Sequence, residues 1–459
     1  MNAQRGQWSS RIGFVLAAAG SAIGLGNIWQ FPFKVGASGG AAFVLLYLFF
    51  CFVLCFPVMV TEIAIGRKTS KNPVGAYKAL GYKNWAFLGL LGIGSGVLIL
   101  SFYNVVAAWA FGYVVEMISA NFEIGSQFGE FVKDWLKIGL YGIIFMSMTA
   151  FIVSRGVSGG IERAAKILMP SLLGIMVFLV IYAFTLPRAM EGVSFYLVPD
   201  FSKLDFQVVY SALGQAFFSL SLGMGALITY GSYLSRKENI VTSAAMITLA
   251  DVGIAFVAGL MMFPLVFSQG LPPNGGAGLI FATLPGVFET LGPILGVVIG
   301  TLFFLLLSFA ALTSTVSLLE VPVAYIVDEH KVKRKTAVWG TAAAIFVIGI
   351  PSLLSNGASD FWSTTFGLPG VATTDFMSFV GYIANDSFLP LGGLLISVFA
   401  AYVWRKSNLH EQIMIGNESY AGSFVQKFID MTVSYIAPIV LGIVFILTVL
   451  DRFLGVKLF

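Results

Sequence analysis

Two short glycine-containing interruptions stand out inside otherwise apolar stretches of this sequence. The first is Gly24–Gly26, followed by Asn27, and the second is Gly223–Gly225, preceded by Ser219 and Ser221. A helix that unwinds in hydrocarbon leaves carbonyl and amide groups that must find polar partners. Free carbonyl oxygens suit a hard cation such as sodium, and free amides at the N-terminus of a half-helix suit a carboxylate. An amino acid bound together with sodium would use both kinds of group.

Further polar residues occur in two other apolar stretches, at Asp251 and at the adjacent hydroxyl residues 313–315. Hydroxyls can simply bond back to their own helix, and glycines can simply let helices pack closely. A buried carboxylate can likewise be a protonated or water-bonded packing residue, although inside a span it marks a functional site by default. Two breaks in corresponding positions, each flanked by polar residues, favour the binding interpretation.

An intramembrane serine protease is the enzyme alternative, because Gly-x-Ser-Gly occurs at 36–39 and at 156–159. Such an enzyme needs a base close to its serine. The two histidines, His330 and His410, lie in predicted loops among basic residues, and the sequence contains no His-Glu-x-x-His zinc motif. A tandem carbonyl filter typical of channels is not visible either. The sequence therefore favours transport without catalysis.

The elements that must position these residues are long apolar segments. The composition is 58% hydrophobic and 10% charged, with a mean hydropathy of +0.90, whereas soluble domains are about 25% charged. Many segments reach the roughly 20 residues that cross a bilayer, and their continuous apolar runs predict helices rather than strands. The predicted spans lie near 12–35, 41–65, 86–117, 136–153, 167–187, 208–234, 241–268, 292–326, 336–354, 375–404 and 429–453.

The distribution of Lys and Arg predicts the orientation of these eleven spans. Most of the 26 basic residues fall in loops on one side, which places the N-terminus in the cytoplasm and the C-terminus outside. We therefore expect a multi-pass protein of the plasma (inner) membrane. The net charge of +4 reflects this topology and does not indicate nucleic-acid binding. Cys51 and Cys55, four residues apart on one apolar helix, are interpreted as packing residues.

The two interruptions lie in spans one and six, and each of these spans begins a block of five. Because five is odd, the two blocks would have opposite orientations in the membrane, which is the pattern of an inverted repeat. We predict one all-α polytopic domain over 1–459, with repeats at about 8–190 and 205–404 and an extra helix at about 429–455. Residues 279–288 predict a short helix that folds back as a lid in an external loop.

Three motifs carry a specific resemblance to a known family. They are Gly24–Asn27 followed by Phe31-Pro32, SGGIERAAKILMP from Ser158 to Pro170, and SLSLGMGALITYGSYL from Ser219 to Leu234. On these motifs the chain resembles the neurotransmitter:sodium symporter family, with its LeuT-type fold of 5+5 inverted repeats, as a bacterial eleven-helix member. The resemblance runs over nearly the whole chain. It implies sodium-coupled symport by alternating access.

The resemblance implies two sodium sites and no organic cofactor. Ligands of the first sodium match Ala22, Asn27, Ser219 and Asp251. Ligands of the second sodium match Gly20, Ile23, Ala310, Thr313 and Ser314. Asp251 stands where Asn is commoner in the family, so we expect its carboxylate to supply the charge that other members take from chloride.

The resemblance also places an amino-acid substrate between the broken helices. Its carboxylate is expected to meet the amides of Leu25 and Gly26 and the hydroxyl of Tyr103. Amine transporters of the family carry Asp at the position of Gly24, so Gly24 favours a substrate with its own carboxylate. The remaining implied substrate residues are Ala22, Ile99, Phe218, Ser219, Ser221, Met224, Ser317 and Leu318. Because these side chains carry no fixed charge, we expect neutral hydrophobic or aromatic amino acids.

Two gates are expected from the resemblance. The inner gate pairs Arg5 with Asp328, assisted by Trp8, Ser232 and Tyr233. The outer gate normally pairs an Arg with Asp375, but this chain has Gln30 at the Arg position, and a Gln–Asp hydrogen bond is weaker than a charged one. Lys34 lies one turn further along the same helix face and is a possible substitute.

A proton-coupled amino-acid transporter of the same fold is the remaining alternative. A basic group would usually replace the second sodium in such a protein, whereas Thr313 and Ser314 are intact here. The expected partners are an amino-acid substrate and the lipid bilayer, without nucleic acid, and we expect a monomer or a weak homodimer.

Overall fold

The computed structural model describes residues 6–273, 279–366 and 373–456. Within these ranges nine helices are long and apolar enough to cross a membrane. They are Ala41–Thr69, Lys83–Ile118, Trp135–Ser154, Val157–Ala183, Ile240–Ser268, Leu295–His330, Arg334–Leu354, Phe376–Val403 and Phe424–Phe453. They correspond in order to predicted spans two to five and seven to eleven, and we number the spans accordingly.

The first span is broken, as the glycines predict. Its halves, Arg11–Ala22 and Gly26–Ala37, meet at a bend of 49°. The side chain of Ser10 caps the first half, and the extended backbone of Ile23 ends it. The second half opens with a π-helical turn, after which Phe31–Ala37 continues as α-helix with Pro32 at its start. This bent pair is a tenth membrane-crossing element.

The sixth predicted segment is also two helices, Phe206–Ser219 and Ala226–Gly231, neither of which is long enough to cross a membrane alone. Between the two helices, Gly223 and Gly225 adopt φ values of +78° and +74°, a region that side chains other than glycine disfavour. The amide of Gly223 donates to the Glu62 carboxylate at 2.8 Å. Both interruptions predicted from the sequence are therefore real breaks in helices.

Shorter helices connect the spans. These are Pro73–Ala79, Lys83–Trp85, Phe122–Ile124, Phe128–Lys133, Ala189–Leu197, Phe201–Lys203, Leu284–Glu289, Asp360–Thr364, Lys406–Met414 and Glu418–Tyr420. In the described ranges the extended pairing is limited to an isolated antiparallel bridge between Phe366 and Thr374.

The predicted lid helix is present as a π-helical turn, Leu279–Thr283, followed by the α-helix Leu284–Glu289. Phe281 is fully buried and its ring stacks on that of Phe128, with Tyr113 in edge contact. The preceding residues 274–278 lie outside the described ranges. An aromatic cluster thus holds the lid segment against the third span.

The fifth span differs from its prediction, which began near 167. The helix begins at Val157. Its first turns are polar, so a criterion based on hydropathy places the start of the span too late. Glu162 and Lys166 pair one turn apart at 2.7 Å, and Glu162 also accepts hydrogen bonds from Ser9. These contacts continue the helix beyond its apolar portion.

The third and eighth spans make the most extensive helix–helix contact and form the centre of the structure. Spans four and nine pack on this pair, whereas helices at the periphery leave large apolar side chains exposed, among them Phe178, Ile181 and Ile443. Such exposed apolar surface is unsuited to water and suits a bilayer. The helices and this surface together indicate a multi-pass membrane protein.

Replacing Gly223 by Ala is expected to destabilise the protein by about 1–2 kcal/mol, because the left-handed backbone disfavours a Cβ atom. The added carbon would also lie 2.5 Å from the Leu389 carbonyl oxygen. The midpoint of thermal unfolding in detergent measures this change. Gly94→Ala is the matched control, because Gly94 is helical and has open space around it. Equal midpoints for the two variants would contradict the prediction.

Candidate functional site

Asp251 lies at the centre of a buried polar cluster between the two broken helices. Its carboxylate is fully buried and accepts hydrogen bonds from Asn27 Nδ2 at 2.8 Å, Tyr47 OH at 3.0 Å and Ser219 Oγ at 2.9 Å. Spans one, two, six and seven each contribute one residue. Three of the four residues predicted for a first sodium, namely Asn27, Ser219 and Asp251, are therefore in direct contact.

Side chains also form hydrogen bonds with backbone groups at the first break, which explains why the helix can unwind there. Asn27 Oδ1 accepts from the Gly24 amide at 3.2 Å, and Gln215 Nε2 donates to the Gly26 carbonyl at 2.8 Å. Ala22, the fourth residue predicted for the first sodium, is the last residue of the preceding half-helix. Its carbonyl therefore belongs to the backbone at the break.

Most of the cluster is chemically suited to a hard cation. Asp251, Ser219 and Tyr47 contribute oxygen atoms, which is the donor type that hard cations prefer. Asn27 instead turns its Nδ2 atom toward Asp251. Within the described part of the chain, Asp251 makes no ion pair with Lys or Arg. Since a buried carboxylate is costly without a counter-charge, a bound cation would stabilise its ionised form.

A second group of oxygens lies where span eight meets the end of the first half-helix. Thr313 Oγ1 is 3.3 Å from the Ile23 carbonyl oxygen and 2.9 Å from that of Ala310. Gly20 is adjacent, since a Cβ atom there would lie 3.2 Å from Thr313 Cβ. Ser314 is the exception among the residues predicted for the second sodium, because its hydroxyl donates to the Ser21 carbonyl at 3.2 Å.

Most of the predicted substrate residues line one small cavity of about 20 Å³ at the breaks. Its lining residues are Ser21, Ala22, Gly24, Gly26, Ile99, Tyr103, Phe218, Ser221, Met224, Ser314 and Leu318. Leu25 joins them through its amide, which donates to Tyr103 OH at 2.8 Å. Ser219 belongs to the Asp251 cluster and not to this wall. Ser317 does not line the cavity, but its Oγ atom lies 2.7 Å from the Oγ atom of Ser21, which does.

A much larger cavity of about 910 Å³ adjoins this pocket, and we call it the vestibule. Gly26, Tyr103 and Phe218 line both spaces. The ring of Phe218 covers Gly26, because a Cβ atom on that glycine would lie 3.0 Å from the ring. A ligand the size of an amino acid needs more than 20 Å³, so Phe218 must move for the vestibule to reach a functional pocket.

Sequence reasoning missed Ser21 and Tyr47. Ser21 Oγ is 3.4 Å from Ser221 Oγ, and its carbonyl accepts from Ser221 at 2.9 Å, which joins the two broken helices. Tyr47 donates to Asp251 from the second span. The surrounding sequence does not mark either residue as part of a site, since Ser21 lies among other small residues and Tyr47 lies in an apolar stretch.

At the end of the bundle opposite the vestibule, aromatic and ionic contacts close the structure. Trp8 Nε1 donates to the Tyr230 carbonyl at 2.9 Å. Tyr233 OH donates to Glu320 at 2.7 Å, and Arg334 pairs with the same carboxylate at 2.5 Å. The Trp8 backbone amide also donates to the Tyr233 carbonyl at 3.3 Å, so these two expected inner-gate residues are in contact, whereas the Glu320–Arg334 pair was not predicted.

The other predicted inner-gate residues give a mixed result. Arg5 lies outside the described residues, so its pairing with Asp328 stays a prediction. Asp328 accepts a hydrogen bond from the Asn72 amide at 3.1 Å. Ser232 donates to the Thr229 carbonyl of its own helix at 2.5 Å.

The structure does not form the outer-gate hydrogen bond considered between Gln30 and Asp375. Asp375 instead caps the tenth span, accepting from the amide and hydroxyl of Ser378 at 2.9 and 2.6 Å. Gln30 Oε1 is buried without a hydrogen-bond partner among the described residues. An Asp three residues before a Ser at the start of a helix satisfies free amides, and this local bond occupies the carboxylate.

Known proteins share both the sequence and the fold. A family profile described as the sodium:neurotransmitter symporter family matches residues 5–128 and 126–453. The sodium-dependent transporter YhdH of Bacillus subtilis (strain 168) is 39% identical over 96% of this chain and 97% of its own length. The sodium- and chloride-dependent GABA transporter 2 of Bos taurus is 27% identical over 77% of this chain and 68% of its own.

A crystal structure of MhsT in complex with L-phenylalanine is 42% identical in sequence and superposes with a TM-score of 0.88. The match covers 96% of this chain and 99% of that chain. The likeness therefore extends through both broken helices and the final span. The chain belongs to the sodium:neurotransmitter symporter family, and it is a multi-pass membrane transporter with a LeuT-type fold, not an enzyme.

Proposed function

We propose that the protein is a sodium-coupled symporter of neutral hydrophobic or aromatic amino acids. The observation that carries this proposal is the apolar pocket beside the buried carboxylate cluster. Ile99, Phe218, Met224 and Leu318 supply its walls, and its lining in the described ranges contains no charged side chain. A charged substrate side chain would be left unpaired there. The L-phenylalanine bound by MhsT supports the same class of substrate.

The substrate carboxylate would bind at the first break, where it meets the amides of Leu25 and Gly26 and the hydroxyl of Tyr103. Gly24 supports this assignment sterically. A Cβ atom there would lie 2.6 Å from Tyr103 OH and would also collide with Ser314, so an acidic side chain would require both neighbours to shift. The lack of a side chain at Gly24 favours a substrate that brings its own carboxylate.

Two sodium ions would accompany the substrate. The first would be held by Ala22, Asn27, Ser219 and Asp251 together with the substrate carboxylate. The second would be held by Gly20, Ile23, Ala310, Thr313 and Ser314. Substrate and first sodium would share one set of ligands, which couples their binding.

Transport would be independent of chloride, because Asp251 provides a fixed negative charge beside the first sodium. Hydrogen bonds from Asn27, Tyr47 and Ser219 support this role, since donors to a carboxylate favour its charged form. A proton on Asp251 is the competing possibility, and it would convert the protein into a proton-coupled transporter.

Alternating access would operate between the two proposed repeats, about 8–190 and 205–404. The vestibule would face the outside, while Trp8, Tyr233 and Glu320 close the cytoplasmic end. This arrangement agrees with the predicted cytoplasmic N-terminus, the extracytoplasmic C-terminus and a location in the plasma (inner) membrane.

Uptake of labelled L-phenylalanine into proteoliposomes tests the function directly. We expect uptake that requires a sodium gradient and is unchanged when gluconate replaces chloride. The positively charged amino acid L-lysine should not compete. Uptake driven by a pH gradient without sodium would establish the proton-coupled alternative instead.

Asp251→Asn is expected to reduce chloride-free uptake by at least about tenfold, since a buried charge next to sodium is worth more than about 1.4 kcal/mol. Added chloride should restore part of the uptake by supplying the missing charge. Asp200→Asn, a carboxylate removed at the surface, serves as the control. Full chloride-free uptake by Asp251→Asn would refute the assigned role.

Thr313→Ala is expected to raise the sodium concentration for half-maximal uptake by about tenfold, through loss of one ligand oxygen. Thr315→Ala is the matched control, because Thr315 Oγ1 contacts Thr149 Oγ1 at 2.8 Å on the other side of the same helix. Sodium titrations of initial uptake rates measure both variants. Equal shifts in the half-maximal sodium concentration for the two variants would contradict a second sodium site at Thr313.

A further inference from the structure

Five charged side chains of the described residues line the vestibule, Asp205 and Asp451 among them, and the other three come from three different spans. Lys34 comes from the second half of span one, Asp386 from span ten and Arg452 from the end of span eleven. None of the three belongs to the pair predicted for the outer gate. They lie in the space through which a substrate would reach the pocket.

Asp386 is paired with Arg452 in this structure, but the contact is loose. Asp386 Oδ2 lies 3.7 Å from Arg452 Nε, and that nitrogen forms no hydrogen bond within the described part of the chain. Arg452 has two further favourable contacts, with Asp451 at 3.6 Å and with the ring of Tyr382 at 4.6 Å from the centroid. Arg452 would therefore keep favourable partners if Asp386 left it.

Lys34 is the unmatched charge of the three. It makes no ion pair within 4 Å among the described residues, although Asp386 and Arg452 are both close enough to act on its charge. In the open vestibule water can solvate the ammonium group. When the vestibule narrows and water leaves, an unpaired ammonium becomes costly.

The helices that carry these charges are not equally connected. Helices Leu389–Val398 and Ala437–Thr448 of spans ten and eleven pack extensively on each other, so Asp386 and Arg452 are carried by one packed unit. Lys34 is carried by the broken first span. Closure between span one and span ten would change the distance between the backbones of Lys34 and Asp386, whereas Asp386 and Arg452 would separate by rotation of their side chains within one packed unit.

We propose that an exchange of ion-pair partners closes the outer path: Asp386 leaves Arg452 and pairs with Lys34. This inference rests on the proposed alternating access. It replaces the Gln30–Asp375 contact, which the structure does not form, and it gives the eleventh span a part in gating. Arg452 holds Asp386 in the open state and competes with Lys34 for it.

A cysteine reporter in the vestibule tests the exchange. Ser211 lines the vestibule on the first half of span six, and Ser211→Cys would react with a membrane-impermeant maleimide when the outer path is open. The native Cys51 and Cys55 are fully buried and give little background. Labelling rates are measured in purified full-length protein, with the Ser211→Cys protein as the parent.

Arg452→Gln and Lys34→Gln are expected to act in opposite directions. Without sodium or amino acid, Arg452→Gln should label about threefold more slowly than the parent, since freeing Asp386 favours closure by the strength of a partly exposed ion pair. Arg452→Lys should label at the parent rate. The double variant that combines Arg452→Gln with Lys34→Gln should label at the parent rate, because Lys34 is no longer available to pair with Asp386.

Substrate-induced closure gives the second readout. Sodium with L-phenylalanine should protect the reporter in the parent, and Lys34→Gln or Asp386→Asn should reduce that protection by about threefold. Loss of protection in Asp375→Asn instead of Asp386→Asn would overturn the proposal. An unchanged labelling rate for Arg452→Gln would overturn it as well.

The two hypotheses fail in distinguishable ways. The comparison of Arg452→Gln with the parent uses neither sodium nor amino acid, so it does not depend on the identity of the substrate. A parent that transports no amino acid, but whose Arg452→Gln variant still labels slowly, refutes the proposed function alone. Normal sodium-dependent uptake with equal labelling rates refutes the partner exchange alone.

Discussion

The requirement that every backbone polar group in hydrocarbon finds a partner governs this structure. The first and sixth spans each contain an unwound stretch, and unsatisfied amides or carbonyls there would cost several kcal/mol each. Glu62 and Gln215 form some of these hydrogen bonds from neighbouring helices, and Asn27 forms another from within the first span. The packing of the surrounding spans follows, because each of these polar side chains must be held at its break.

The groups that stabilise the breaks are also the groups that can bind ligands. Asn27 accepts from the Gly24 amide through one atom of its side-chain amide and donates to Asp251 through the other. A cation bound at Asp251 would therefore act on the backbone at the first break through the Asn27 side chain alone. This connection gives a physical route by which ion binding and helix geometry influence each other.

Much of this arrangement could be predicted from sequence, because glycine interruptions and buried polar residues are local signals. The breaks and the buried Asp251 were found in that way, whereas the pocket residues and the grouping of Asp251 with Asn27 and Ser219 came from the family resemblance. The roles of Asp375 and Arg452 were not, since a helix cap and a pair between spans ten and eleven depend on where whole helices lie. Polar first turns hid the start of span five for a related reason, because hydropathy measures the lipid-crossing portion of a helix and not its full length.

The position of Phe218 over Gly26 affects how binding measurements should be interpreted. The pocket beneath it holds about 20 Å³, room for little more than one water molecule. If ligand-sized space requires displacement of the Phe218 ring, the measured affinity is the intrinsic affinity multiplied by the population of the displaced conformation. Two substrates with the same contacts can then differ in apparent affinity through the ring displacement that each requires, so selectivity for side-chain size becomes a property of the conformational equilibrium.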